Sequence, residues 1–322
     1  MERVLVTGAG GFIGHHLVKS LKAKGYWVRG VDVKEPEYEE TAADEFQLLD
    51  LRRRDNCLEA TRSIDHVYAL AADMGGMGFI SANHTQILIN NAQINLHTIE
   101  AAQINGVSRL FYSSSACIYP DYRQTDVDVT ALKESDAYPA DPQDAYGWEK
   151  LVTEKLCEYI ALEKGMVTRV ARFHNIYGPL GTWDGGREKA PAAMSRKVAQ
   201  VEDGGEIEMW GDGLQTRSFC YVDDCVEGVY RLMHSDFDQP LNIGSDRLIS
   251  INDLAKMVIG ISDKSDVTIK HIPGPQGVRG RNSDNTLIRE VLGWEPQITL
   301  EQGMAETYEW VVKQIAERDA AR

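Results

Sequence analysis

Short apolar runs alternate with amphipathic stretches through the first half of the chain. Residues 3–7, 27–33, 46–51, 65–73, 110–115 and 167–173 each read as a strand, while 15–24, 53–61, 84–105 and 143–164 read as helices. Strands alternating with helices at this pace predict a doubly wound parallel sheet. From about residue 175 the alternation breaks down. Segments 206–210 and 216–221 read as short strands, 222–233 as a helix returning to the main sheet, and 249–259, 267–272 and 300–315 as the rest of a smaller lobe. The expected architecture is an α/β fold. Residues 1–174, with a return of about 219–244, form a Rossmann-type sheet, and 175–322 mainly form a smaller mixed α/β lobe.

The first strand runs into Gly8-Ala-Gly-Gly-Phe-Ile-Gly14 and then a helix. Glycines at 8, 11 and 14, around Phe12 and Ile13, suit a tight turn, close approach of a pyrophosphate to the helix N-terminus, and packing of helix on strand. Asp32 closes the second strand, about 24 residues on, where a carboxylate binds an adenosine ribose. It would repel a 2′-phosphate, so NAD is favoured over NADP, a preference that Lys34 weakens slightly. Asp50 and Leu51 end the third strand as adenine contacts, and Ala71 ends the fourth.

The chemistry concentrates between residues 113 and 150. Tyr146 and Lys150 stand four apart on a helix and share one face. An ammonium beside a phenol is expected to push it towards phenolate, the form an alcohol-oxidising base uses. Ser115 would hydrogen-bond the alcohol or carbonyl oxygen, and Cys117 follows at the same sheet edge. Met74-Gly75-Gly76-Met77-Gly78-Phe79 reads as a mobile loop where open α/β sheets bind ligands. Asn175 follows the sixth strand. The run 181–191 holds Arg187, Glu188 and Lys189 in a glycine-rich loop, a candidate lid with a working lysine. Arg217 and Arg281 suit bidentate capture of a diphosphate. Asn90 or Asn91 could face the cofactor.

Composition narrows the partners. The chain has 322 residues, 43% hydrophobic and 26% charged, and no apolar run approaches a membrane span. A start that goes straight into a strand makes a cytoplasmic protein the default. A net charge of −15 disfavours nucleic acid and anionic membranes, so a small nucleotide is the better expectation. Five scattered cysteines argue against a disulfide framework or a metal site.

Thr7-Gly-x-x-Gly-Phe-Ile-Gly14, Ala71-Ala-Asp73, Ser113-Ser-Ser-Ala116, Tyr146-x-x-x-Lys150 and Arg172-x-x-Asn175-x-Tyr-Gly-Pro179 resemble, in order, the motifs of the extended short-chain dehydrogenase/reductases that modify nucleotide sugars. Residues 71–79, 114–120, 185–191, 210–219 and 278–284 are similar to the branch that acts on GDP-mannose. The resemblance implies a homodimer and NAD-dependent conversion to GDP-L-galactose, with GDP-L-gulose as the C5-only product. It also implies Met74, Gly75, Ser115, Asn175, Glu188, Lys189, Arg217 and Arg281 as substrate contacts. A 4-epimerase of this family commonly has Thr or Ser-Val-Tyr-Gly where this chain has Cys117-Ile-Tyr-Pro120, and it lacks the Arg187-Glu-Lys189 loop. The added thiol and amine suit proton exchange at two carbons. The alternatives are a 4-epimerase, a dehydratase (for which a Thr-Asp-Glu set is missing), a decarboxylase, or a non-catalytic NAD-binding protein.

Overall fold

The computed structural model describes residues 1–275 and 277–321. The chain runs through β1 (Arg3–Thr7), α1 (Phe12–Ala23), β2 (Trp27–Asp32), β3 (Glu45–Leu48), α2 (Arg54–Ala60), β4 (His66–Ala69), α3 (Met77–Ala82), α4 (His84–Ile104), β5 (Arg109–Ser115), α5 (Ala145–Lys164) and β6 (Val167–Phe173). It continues through β7 (Ile176–Tyr177), α6 (Ala190–Gln200), β8 (Glu206–Trp210), β9 (Thr216–Ser218), β10 (Cys220–Tyr221), α7 (Val222–Met233) and β11 (Leu241–Ile243). The last elements are β12 (Leu248–Ser250), α8 (Ile251–Ile261), β13 (Thr268–Ile272), β14 (Gly280–Arg281), α9 (Thr286–Leu292) and α10 (Leu300–Ala320).

Seven strands form one parallel sheet in the order β11-β6-β5-β4-β1-β2-β3. Alternation along β1 explains its two cores. Val4 and Val6 pack with Leu17, Val18 and Leu21 of α1, while Leu5 faces Val67, Ile99 and Leu110 on the other side. Because β1 is flanked by β2 and β4, the chain leaves it in opposite directions. That reversal opens a crevice at the strands' carboxyl ends, where ligands bind in such sheets. α7 packs on α1 and on β5, β6 and β11, and β11 extends the sheet beside β6. The smaller lobe contains the sheets β12-β9-β14 and β13-β8, with α6, α8 and α10 packed on one another.

Three local readings need correction. The glycine-rich run after β4 is not all loop: after Gly76 the chain turns into α3. The lid run ends in α6, whose first turn contains Pro191. Proline is well placed there because its missing N–H would have no helical partner. Residues 121–142, polar and with Pro139 and Pro142, read as a surface loop; the segment nevertheless buries Leu132 and Ala137, and Leu132 bridges to Ser283 of the smaller lobe.

Candidate active site

One cleft of about 1030 Å³ at the carboxyl edge of the sheet is lined by Gly8, Gly11, Phe12, Ile13, Gly14, Asp32, Asp50, Leu51 and Ala71 on one side. Met74, Gly75, Ser115, Cys117, Tyr146, Lys150, Asn175, Glu188, Lys189, Arg217 and Arg281 line the rest. Residues from both lobes thus meet in a single space.

At the cofactor end the backbone does the shaping. Gly8 has φ +73°, and a Cβ on Gly14 would come within 2.0 Å of the Gly8 carbonyl oxygen. α1 begins at Gly11 with no side-chain cap and no acidic residue in its first turn. Its first N–H groups are therefore available to an anion in the cleft. The Asp32 carboxylate accepts hydrogen bonds from the backbone N–H groups of Gly10 (3.0 Å), Val33 (2.6 Å) and Lys34 (3.3 Å), which fixes its direction. Burial raises its pKa, and these N–H groups oppose the rise. An uncapped helix end beside an oriented carboxylate fits the pyrophosphate and ribose of NAD. Gly10 was not singled out from the sequence, yet a Cβ there would meet the Lys34 carbonyl oxygen at 2.1 Å. Asp50 is held by Arg52, at 2.7 Å. Of the two helical asparagines, Asn90 lines the cleft, whereas Asn91 is fully buried and bonds the backbone of Asp73.

Ser115, Tyr146 and Lys150 come from β5 and α5, which pack together. Asp144 caps α5 by accepting from the Gly147 N–H at 2.9 Å. The Lys150 ammonium donates to the Ser113 carbonyl (2.9 Å) and lies 5.5 Å from the Tyr146 ring centre. Burial lowers its pKa, opposed first by Glu149. The expected shift of Tyr146 towards phenolate is not what the surroundings produce. Burial raises the phenol well above its ordinary value, Cys117 and Glu149 add to the rise, and a hydrogen bond with Ser115 offsets part of it. Spacing on a helix brings Lys150 near; it does not outweigh the loss of water. Behind this group, Arg172 of β6 pairs with Glu154 of α5 at 2.7 Å, both buried.

Cys117 follows β5, and its N–H donates to the Ser115 hydroxyl at 3.2 Å. Arg281 reaches it from β14: Nη1 donates to the Cys117 sulfur at 3.3 Å while Nε donates to Gln124 at 2.5 Å. The sequence suggested a diphosphate role for Arg281 and gave no sign of this thiol contact, which pairs positions 164 residues apart. Lys189 is the residue before α6, open to the cleft's interior. Lys189 is exposed to the open cleft, yet protein groups crowd around it; that crowding lowers its pKa, and interaction with Cys117 and Cys225 opposes the fall. Arg217 is held by the Thr216 and Val278 carbonyls, each at 2.7 Å; burial, with Arg281 adding to it, lowers its pKa to about 9. Asn175, at φ +43°, donates to the Ser218 carbonyl at 2.8 Å.

Two segments meet across the mouth. The Gly76 N–H donates to the Arg187 carbonyl at 3.1 Å, and the Arg187 guanidinium lies 3.8 Å from the Phe79 ring centre and 3.5 Å from Asp73. Each side-chain contact is half exposed and contributes roughly 0.2–1 kcal/mol. Glu188 is held by Arg196 at 2.9 Å.

Residues 4–244 match the model of the NAD dependent epimerase/dehydratase family. The chain is 56% identical to GDP-mannose 3,5-epimerase 1 of Oryza sativa subsp. indica, across 97% of this chain and 82% of the rice protein. It is 55% identical to GDP-mannose 3,5-epimerase of Arabidopsis thaliana, across 99% of this chain and 84% of that one. Among solved structures, UDP-glucose 4-epimerase of Thermotoga maritima with UDP-glucose superimposes with a TM-score of 0.86 at 29% identity, covering 97% of this chain and 99% of that one. With its glycine turn, its oriented Asp32 and its Ser115, Tyr146 and Lys150 gathered at one sheet edge, the chain belongs to the NAD dependent epimerase/dehydratase family.

Proposed function

We propose that the chain epimerises GDP-mannose at C3 and C5 to give GDP-L-galactose, with GDP-L-gulose as the product of inversion at C5 alone. The observation that carries this reading is the meeting of Cys117 and Lys189 with Ser115, Tyr146 and Lys150 in one cleft. It is supported by relatives named GDP-mannose 3,5-epimerase at 55–56% identity. A simple C4 inversion has no use for an extra thiol and amine.

NAD, when bound, supplies the hydride acceptor and donor for the sugar C4. Tyr146 takes the C4 hydroxyl proton in its phenolate form, which the positive charge of bound NAD would favour against its burial. Ser115 orients the oxygen, and Lys150 holds the helix face against Ser113. A ketone at C4 acidifies the hydrogens on C3 and C5, because either carbanion is delocalised as an enolate. Inversion then requires a base on one face and an acid on the other. Cys117 and Lys189 fill these roles, the thiol as the more natural base and the ammonium as the more natural acid. The lowered pKa of Lys189 makes its proton easier to give. Glu188, Arg217, Asn175, Met74 and Gly75 line the space for the sugar and diphosphate.

We also propose a homodimer in a reducing, cytoplasmic setting. Leu88, Ile89 and Leu96 of α4 and Trp148, Val152, Tyr159 and Leu162 of α5 are exposed. These adjacent helices would form a four-helix interface with a second copy. All five cysteines are free.

The test is incubation of GDP-mannose with the purified protein in deuterated water, followed by mass spectrometry and sugar analysis. Deuterium at C3 and C5 in a changed sugar is expected. A changed sugar without solvent deuterium would replace this reading with C4 epimerisation.

A further inference from the structure

The contacts across the cleft mouth join parts with different jobs. The segment after β4 carries Met74 and Gly75 at the cleft wall, and the loop before α6 carries Lys189. Arg187 links them by side chain and backbone, touching Asp73, the Phe79 ring and the Gly76 N–H. The fit is close: a Cβ on Gly76 would lie 2.8 Å from the Glu188 carbonyl oxygen. The far end of the same loop is anchored separately. Asp184 pairs with Arg318 of α10 at 2.9 Å, and that guanidinium lies 5.2 Å from the Trp183 ring centre. The loop is therefore a span seated at its far end by the buried Trp183, with a partly exposed ion pair to α10, and fastened at Arg187 by half-exposed contacts alone.

We propose that Arg187 is a latch that retains the oxidised sugar until both inversions and the final reduction are complete. This rests on the function proposed above. Oxidation at C4 breaks the C–H bond there, sends its electron pair and hydrogen to NAD, and gives the hydroxyl proton to the Tyr146 phenolate, which becomes the phenol. The sugar is then a 4-ketone facing two proton exchanges before C4 is reduced again. A ketone that escapes in that interval leaves one NADH behind on the site, and that site cannot restart with GDP-mannose. A latch of weak contacts suits this sequence of steps, since it must open once in each cycle to release product. Closure also excludes water from the proton exchanges. Arg187 is thus a positioning residue that acts through Lys189 and the ketone's lifetime in the cleft, and it takes no part in proton transfer.

The experiment compares the NAD-loaded wild type with Arg187→Ala and Gly76→Ala, which loosen the mouth from opposite sides. Turnovers per site before inactivation, reduced nicotinamide per site, and the ratio of GDP-L-gulose to GDP-L-galactose are followed with GDP-mannose as substrate. Loss of the ion pair and ring contact should cut turnovers before inactivation by roughly tenfold. Reduced nicotinamide should approach one per site, and the C5-only product should gain on the doubly inverted one. Arg187→Lys should fall between. Slower turnover with wild-type product ratio and no reduced nicotinamide would overturn the latch and leave a structural role. Bound NAD and near-UV circular dichroism identify any variant that has lost its fold, and the remaining variant then decides the question. If the wild type itself leaves GDP-mannose unchanged, the function fails and the latch falls with it, an outcome distinct from failure in the variants alone.

Discussion

The two chemical groups in the cleft are held in different ways. Ser115, Tyr146 and Lys150 sit on β5 and α5, adjacent elements braced from behind by the buried Arg172–Glu154 pair. Cys117 and Lys189 line the same cleft from different parts of the chain. One follows β5, the other stands on a loop whose mouth end is fastened by half-exposed contacts. Oxidation is therefore set by the sheet, and proton exchange by how the lobes close.

The largest expected effect separates these groups outright. Tyr146→Phe should remove C4 oxidation and with it all deuterium uptake, a loss of roughly 10²–10⁴-fold. Cys117→Ala or Lys189→Ala should abolish inversion and leave NAD binding and C4 oxidation intact, so reduced nicotinamide should still form when GDP-mannose is added. Full inversion in either variant would remove that residue from the chemistry.

Next comes the brace. Glu154→Gln leaves the Arg172 guanidinium buried without its charge partner, at a cost of about 3–5 kcal/mol in unfolding free energy measured by denaturant. It should lower oxidation and inversion in proportion, because the whole frame shifts. A variant of wild-type stability would show that the brace is not needed.

The effect that is smallest near neutral pH concerns acid. His174, just past β6, is completely buried against Asn242 at 3.0 Å. Burial lowers its pKa from the ordinary 6.5 to about 3. The unfolded chain takes up a proton below pH 6.5 and the folded one does not, so His174 costs stability as the pH falls from 6.5 towards 3. The loss is roughly 1.4 kcal/mol for each pH unit in that window. His174→Asn should flatten this part of the pH–stability curve; an unchanged slope would assign the acid sensitivity to other groups.

The sheet-borne half was largely legible in the sequence because its elements declare themselves locally. All six strands read in the first half have a counterpart that starts within a residue of the expected start, and two are cut short: 46–51 to Glu45–Leu48, which leaves Asp50 and Leu51 just past the strand, and 65–73 to His66–Ala69. The glycine turn, Asp32 and Tyr146 with Lys150 all fall where local spacing put them, in one cleft. The other half was harder. α3 starts amid three glycines, which lower helix propensity and hid it, and β7, β11 and β14 are only two or three residues long, too short to show a period. Whole strings named the residues of the second lobe, but no string shows that Arg281 reaches Cys117 or that Arg187 reaches Phe79. Those contacts belong to the folded chain alone. The state of Tyr146 was misread for a related reason, since spacing reveals a neighbour and hides the burial that dominates.

The strand order has a consequence for how the protein is made. Taken in order of synthesis, β2 and β3 add outward on one side of β1, and β4, β5, β6 and β11 add outward on the other. Every new strand meets an edge that already exists, and none has to wedge between two that have paired. A growing chain can therefore build the first six strands, with Ser115, Tyr146 and Lys150 in place, while Lys189 and Arg281 have yet to leave the ribosome. At ordinary elongation rates that interval is on the order of ten seconds for Arg281 and about one to three seconds for Lys189.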